Sequence, residues 1–137
     1  MALVSTFAGY TLSPTDASGA VRLYHGTDKE GANSILYYGL DEAKASACGG
    51  EGRFWCTTAM ARAGRFAKYT LSDRPMIVEF DLPVAVLESC STGVPPLMIT
   101  HQVGLYPNFE FWGGSFDTLN ASISNITITD ARVIIEP

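Results

Sequence analysis

Three short clusters and one further aromatic in the sequence carry side chains suited to chemistry. The first is Leu23-Tyr24-His25-Gly26-Thr27, a histidine followed by a glycine. Imidazole donates or accepts hydrogen bonds near neutral pH, and glycine lets a ligand approach the backbone with no Cβ in the way. Thirty residues after His25, Phe54-Trp55-Cys56-Thr57 sets two aromatics side by side, so on a strand they face opposite sides. Phe66 follows Trp55 by eleven residues, on the next helical segment. A strand aromatic and a helix aromatic can together grip a flat ring. The last cluster is Asn108-Phe109-Glu110-Phe111-Trp112, a carboxylate among aromatic rings. Burying such a charge is costly without a partner, which makes Glu110 a catalytic candidate. The competing accounts are a turn position for His25, core packing for Phe54 and Phe66, and edge exposure for Glu110.

The other reactive residue types read more plainly. Glu79 and Asp81 share one face of a strand, and Glu42, Glu51 and Glu88 fall in loops. His101 reads as structural, and no second His or Cys stands at ligand spacing, so no metal site is expected. Cys48, Cys56 and Cys90 are odd in number and read as three ordinary thiols. Asn120-Ala121-Ser122 and Asn125-Ile126-Thr127 match glycosylation sequons, but no basic, apolar leader marks a secretory route. The chain of 137 residues is 47% hydrophobic and 11% aromatic, enough to build a core. It has no run near the ~20 apolar residues that cross a bilayer. Net charge −5 argues against holding nucleic acid by bulk electrostatics.

These clusters need elements to position them. No repeat or composition break divides residues 1–137, so one domain is expected, with 1–20 as an irregular arm or short edge strand. Val21 to Tyr24 alternates as a strand, Asp28 is a candidate N-cap, Ala32, Ile35 and Leu36 follow at helical spacing, and Gly39 fits a helix stop. Asp41 to Gly52 is a loop and Arg53 to Thr57 an aromatic strand. Thr57 or Thr58 can cap a second helix carrying Met60, Ala63, Gly64, Ala67 and Leu71 on one face. Pro75 to Leu82 is the clearest buried strand, and Glu88 to Pro96 reads as a second loop. Strands are then expected at Leu97 to Thr100, Glu110 to Phe116, Ile123 to Thr129 and Arg132 to Ile135. The order β-α-β-α and then strands indicates α+β with a mainly antiparallel sheet.

Taken together, the clusters resemble the catalytic domain of ADP-ribosyltransferases of the His-Tyr-Glu type, the branch that includes diphtheria toxin and the poly(ADP-ribose) polymerases. The resemblance covers roughly residues 21–116. Tyr24-His25-Gly26-Thr27 through Ile35 and Gly39 matches the family's opening strand and helix. Phe54-Trp55-Cys56-Thr57 with Ala63-Gly64-Arg65-Phe66 matches its second motif, with Trp55 and Phe66 where tyrosines are usual. Glu110-Phe111 matches the strand-opening glutamate.

The resemblance implies a split antiparallel β-sandwich with two short helices, and NAD as substrate without a metal. By it, Gly26, with Thr27 beside it, would hold the nicotinamide amide. His25 would bond the adenosine-side ribose, Trp55 and Phe66 would sandwich nicotinamide, and Glu110 would accept from the nicotinamide-ribose 2′-hydroxyl. A register one residue off would give Phe54 the stacking role. The implied reaction is transfer of ADP-ribose to a macromolecule, a protein rather than nucleic acid, with Val103 to Phe109 leading into Glu110 as the acceptor-recognition loop. The alternatives are an NAD glycohydrolase, a tRNA 2′-phosphotransferase-like enzyme, and a non-catalytic ADP-ribose or NAD-binding module. The compact size fits a bacterial toxin or effector, acting in the cytoplasm or delivered into a target cell's cytosol, with an immunity or antitoxin protein as partner and no membrane association.

Overall fold

A computed structural model describes residues 5–7, 10–12, 20–41, 53–68, 73–93, 96–101 and 107–133. Their elements are β1 (Ser5–Phe7), β2 (Tyr10–Leu12), β3 (Ala20–Asp28), α1 (Lys29–Tyr38), β4 (Arg53–Thr57), α2 (Met60–Lys68), β5 (Pro75–Pro83), α3 (Val84–Ser91), β6 (Met98–His101), β7 (Pro107–Trp112), α4 (Phe116–Ser122) and β8 (Ser124–Asp130). Short 3₁₀ turns cover Gly113–Ser115 and Ala131–Val133. β1 and β2 pair as a separate hairpin, so the N-terminal arm contains a small sheet. The other strands form one six-stranded antiparallel sheet in the order β6-β7-β4-β3-β5-β8. No described helix is long and apolar enough to cross a membrane.

Strand alternation sorts the side chains onto two faces. One face carries Val21 and Leu23 of β3, Phe54 and Cys56 of β4, Val78, Phe80 and Leu82 of β5, and Phe109 and Phe111 of β7. Ala32 of α1, Leu87 and Cys90 of α3, and Phe116 and Leu119 of α4 close over it, making the main core. The opposite face carries a smaller cluster, in which Ala63 and Ala67 of α2 meet Ile77 and Ala131, with Tyr24 and Met60 beside them. The small residues of α2 have a purpose at Gly26. A Cβ there would stand 2.1 Å from the Ala63 carbonyl oxygen and 2.7 Å from the Ala67 amide nitrogen. Only glycine lets the helix backbone lie this close to β3.

The strands do not join equally. β3 pairs with β5 along its whole length, from Ala20↔Pro83 to Asp28↔Pro75. β4 pairs with β7 from Arg53↔Trp112 to Thr57↔Asn108. Between β3 and β4 the register holds at one pair, Tyr24↔Thr57. The sheet is thus two well-zipped halves with a seam between them.

Several expected boundaries hold. The Asp28 side chain accepts from the Gly31 amide at 2.7 Å. Gly39 takes φ 76° and ends α1, its amide donating to the Ile35 carbonyl at 2.9 Å. Others are corrected. Among the described residues four α-helices are present where two were expected, and the sheet is antiparallel, as the α+β reading expects. Residues 88–91, expected in a loop, complete α3, because Leu87 and Cys90 turn into the core. The strand expected from Glu110 to Phe116 instead runs Pro107–Trp112. Phe116 opens a helix, burying itself and Leu119 one turn apart, and the Asn120 amide clasps the Leu40 backbone (2.8 and 3.0 Å). A 3₁₀ turn replaces the start of the last expected strand. The loop residues 42–52, with Cys48, Leu71 of the second helix, and Leu105 and Tyr106 of the acceptor loop lie outside the described residues.

The Gly26 contact is testable by stability. Gly26→Ala drives a methyl group into backbone atoms, which cannot rotate away. Urea unfolding is expected to lose about 3 kcal/mol, the upper range of overpacking. An unchanged midpoint would mean that α2 is not seated on β3.

Candidate functional site

The seam and α2 define the candidate site. In the β4–β7 ladder Trp55 stands directly opposite Glu110, with Arg53 opposite Trp112 on one side and Thr57 opposite Asn108 on the other. Paired residues share a face, and this is the face that α2 covers, since Arg62 of α2 donates from Nε to Asn108 Oδ1 at 3.1 Å. Trp55 and Phe66 are 39% and 37% exposed, among the few large apolar side chains open to solvent. The structure therefore brings Trp55, Phe66 and Glu110 to one side of the sheet.

Glu110 is 2% exposed and is ion-paired through Oε1 with Arg53 Nη1. Alternation explains the pairing. Arg53 sits two residues before Trp55, so it rises from the same face beside the carboxylate. Its guanidinium carbon lies 5.4 Å from the Trp55 ring and 5.2 Å from the Trp112 ring, so the cation is flanked by two indoles. Rings on both sides exclude water, which strengthens the ion pair, and their π faces favour the cation. An unpaired carboxylate at this depth would be strongly destabilising.

His25 and Phe54 occupy the other face. His25 pairs with Val78 of the main core, and its ring centroid is 4.4 Å from that of Phe54. Phe54 packs in turn on Phe80 and Phe111 (6.0 and 6.4 Å). His25 Nδ1–H donates to the Trp55 carbonyl oxygen at 2.5 Å. That bond spans the seam, where the β3–β4 ladder has stopped, so a side chain replaces a missing backbone bond. His25 thus reaches the Trp55 side only through the β4 backbone. Gly26 faces α2, and Thr27 is half-buried beside it.

Two other buried carboxylates are occupied elsewhere. Asp81 accepts from Arg22 Nε at 2.9 Å and from Asn125 Nδ2 at 2.8 Å. Glu79 accepts from Arg22 at 3.3 Å and from the Thr129 hydroxyl at 2.9 Å. Both are nearly inaccessible to solvent and act as structural acids. Burial pushes the Cys56 and Cys90 thiols up, which keeps them protonated and unreactive.

Sequence reasoning gave no role at the site to Arg53, Arg62, Asn108 or Trp112. Period-2 spacing from Trp55 and Glu110 would have put Arg53, Asn108 and Trp112 on the same face. Helical spacing from Phe66 would have found Arg62, whose guanidinium carbon is 5.7 Å from that ring. Comparison of the chain with protein-family models, curated proteins and solved structures finds no match.

Loss of water around the His25 ring lowers its pKa, an effect partly opposed by the bond to the Trp55 carbonyl. The folded protein therefore prefers the neutral ring. The resulting stability is complete above the unfolded value near 6.5 and declines as pH falls through it. An NMR titration of the imidazole carbon-bound protons is expected to give a His25 midpoint below 6.5. A midpoint above that value would mean that a facing carboxylate charges the ring.

Proposed function

We propose that the chain is an NAD-dependent mono-ADP-ribosyltransferase, with an ADP-ribosyltransferase-like fold whose two half-sheets meet at the β3–β4 seam. The observation that carries this reading is the buried Glu110 carboxylate directly across from the exposed Trp55, with the exposed Phe66 on the same side. Two aromatic surfaces beside one carboxylate suit a planar ring joined to a sugar. The reading rests on this arrangement together with the order of the three motifs.

In the proposed reaction the nicotinamide ring is held between Trp55 and Phe66. The C–N bond to ribose breaks, the bonding pair leaves with nicotinamide, and the ribose becomes oxocarbenium-like. Glu110 stabilises that positive charge, since a fixed carboxylate in a site walled by aromatics acts more strongly than one in water. Arg53 holds Oε1, leaving Oε2 to accept from the 2′-hydroxyl. An acceptor nucleophile, on a protein in this proposal, then attacks the anomeric carbon and loses its proton. His25 acts through the β4 backbone by fixing the Trp55 carbonyl, so its part is positioning.

Glu110→Gln keeps the shape and removes the charge. Cleavage of NAD is expected to fall at least ~10²-fold while NAD still binds, the scale for one charge-stabilising group. Thermal melting run in parallel separates this from unfolding, because Arg53 loses its counter-charge. Normal turnover in the folded variant would sink the assignment of Glu110.

The ring grip is read by fluorescence. The chain has two tryptophans, so Trp112→Phe leaves Trp55 as sole reporter. NAD is expected to quench that emission, and Trp55→Ala to weaken binding by about 1–3 kcal/mol, by analogy with base stacking on aromatics. Phe54→Ala is expected to cost stability instead, since Phe54 is a core residue. Binding lost in folded Phe54→Ala and kept in Trp55→Ala would overturn the grip.

A further inference from the structure

We infer that Arg62 anchors a phosphoryl oxyanion, the diphosphate of a dinucleotide seated against Trp55 and Phe66; the dinucleotide itself rests on the function proposed above. Three other arginines of the described residues meet carboxylates. Arg22 pairs with Asp81 and Glu79, Arg53 with Glu110, and Arg132 with Asp130. Arg62 has a neutral partner, the Asn108 side-chain oxygen on Nε, and its Nη2 is buried with no hydrogen-bond partner. A buried donor left unmatched is unfavourable and marks a place where an acceptor is missing. In a chain carrying 14 acidic residues against 9 basic ones, carboxylates were not scarce.

The surroundings define the chemistry of the missing acceptor. Asn108 takes Nε, so the Nη edge remains, two nitrogens in a fork that matches phosphate oxygens. The guanidinium stacks over Phe66, which keeps it flat and pre-set. Asn108 and Glu110 are two residues apart on one face of β7, hence about 7 Å along the strand. A ribose with its 5′ linkage spans that interval. An anion at Arg62 therefore fits a ligand whose sugar reaches Glu110 and whose ring lies at Trp55. Glu110 itself repels a phosphate from its own position, so the charge pattern sets the ligand's direction as well as its place.

The test compares ligands with and without phosphate on the full chain, by calorimetry. The probes are ADP-ribose, inorganic pyrophosphate and nicotinamide riboside. Arg62→Gln is expected to weaken ADP-ribose and pyrophosphate at least tenfold and to leave nicotinamide riboside within twofold. Arg62→Lys is expected to restore part of the loss, as a point charge without the fork. Arg132→Gln removes one charge from a surface ion pair and is expected to change none of the three. Equal affinity of Arg62→Gln and the parent chain for ADP-ribose would overturn the anchor, as would an equal loss for nicotinamide riboside. Acceptor-free NAD hydrolysis assigns the source of the phosphate. A raised KM there supports the dinucleotide, whereas an effect seen only in transfer would place the phosphate on the acceptor and overturn the assignment. The two readings fail separately. ADP-ribose binding that depends on Arg62 in a protein that never cleaves NAD keeps the anchor and removes the transferase. NAD cleavage with an unaltered KM in Arg62→Gln does the reverse.

Discussion

The backbone of α2 rests on Gly26, and the arrangement of the site depends on that contact. With the Ala63 carbonyl against the Gly26 Cα, the helix cannot shift outward without losing its seat on β3. Its small residues, Ala63, Gly64 and Ala67, face the sheet, so its larger ones must project at the flanks. Arg62 and Phe66, one turn apart, come out on the flank over β4 and β7. Widening the helix–sheet gap by one methyl group would move both away from Trp55 and Asn108. The glycine thus governs the site through a steric limit, independently of any contact it makes itself.

Two charged clusters on the same face of the sheet solve burial differently. At Arg22, Glu79 and Asp81, Asn125 and Thr129 supply additional donors, and the acids are saturated. Such a network rigidifies and has no spare valence. At Arg53 and Glu110 the ion pair stands against two indole rings. The second arrangement leaves a carboxylate beside open aromatic surface, which is the condition for acting on a ligand. The same chemistry, a carboxylate facing a guanidinium on a strand, is structural in one place and a candidate for catalysis in the other because of what surrounds it.

Local signals made part of this legible. The Asp28 cap, the Gly39 stop, the aromatic strand at Arg53 and the apolar run at Pro75 are each determined within a few residues, and each forms as read. The two missed helices lack such signals. Phe-Asp-Thr-Leu-Asn-Ala-Ser is rich in poor helix formers, and it is helical because Phe116 and Leu119 enter the core and Asn120 holds Leu40, eighty positions away in sequence. Val84-Ala85-Val86-Leu87 follows a buried strand with no polar break, so nothing local marks where the strand ends. The site was legible in its aromatics and its carboxylate, since their types are unusual together. Arg53 and Arg62 were not, because a sequence shows charges without showing which of them pair.

Net charge illustrates the same limit and resolves it physically. An acidic chain repels a polyanion, which spans many screening lengths and must meet the acidic surface somewhere. A small anion is a different problem. The screening length is about 8 Å at physiological ionic strength, so distant carboxylates scarcely reach a ligand in contact with Arg62. Among the described residues placed at the site, Arg53 and Arg62 stand against Glu110, opposite in sign to the chain as a whole. Bulk charge therefore argues against a nucleic-acid polymer as ligand and leaves a dinucleotide untouched. For a ligand the size of a dinucleotide, the charges within one screening length decide what binds.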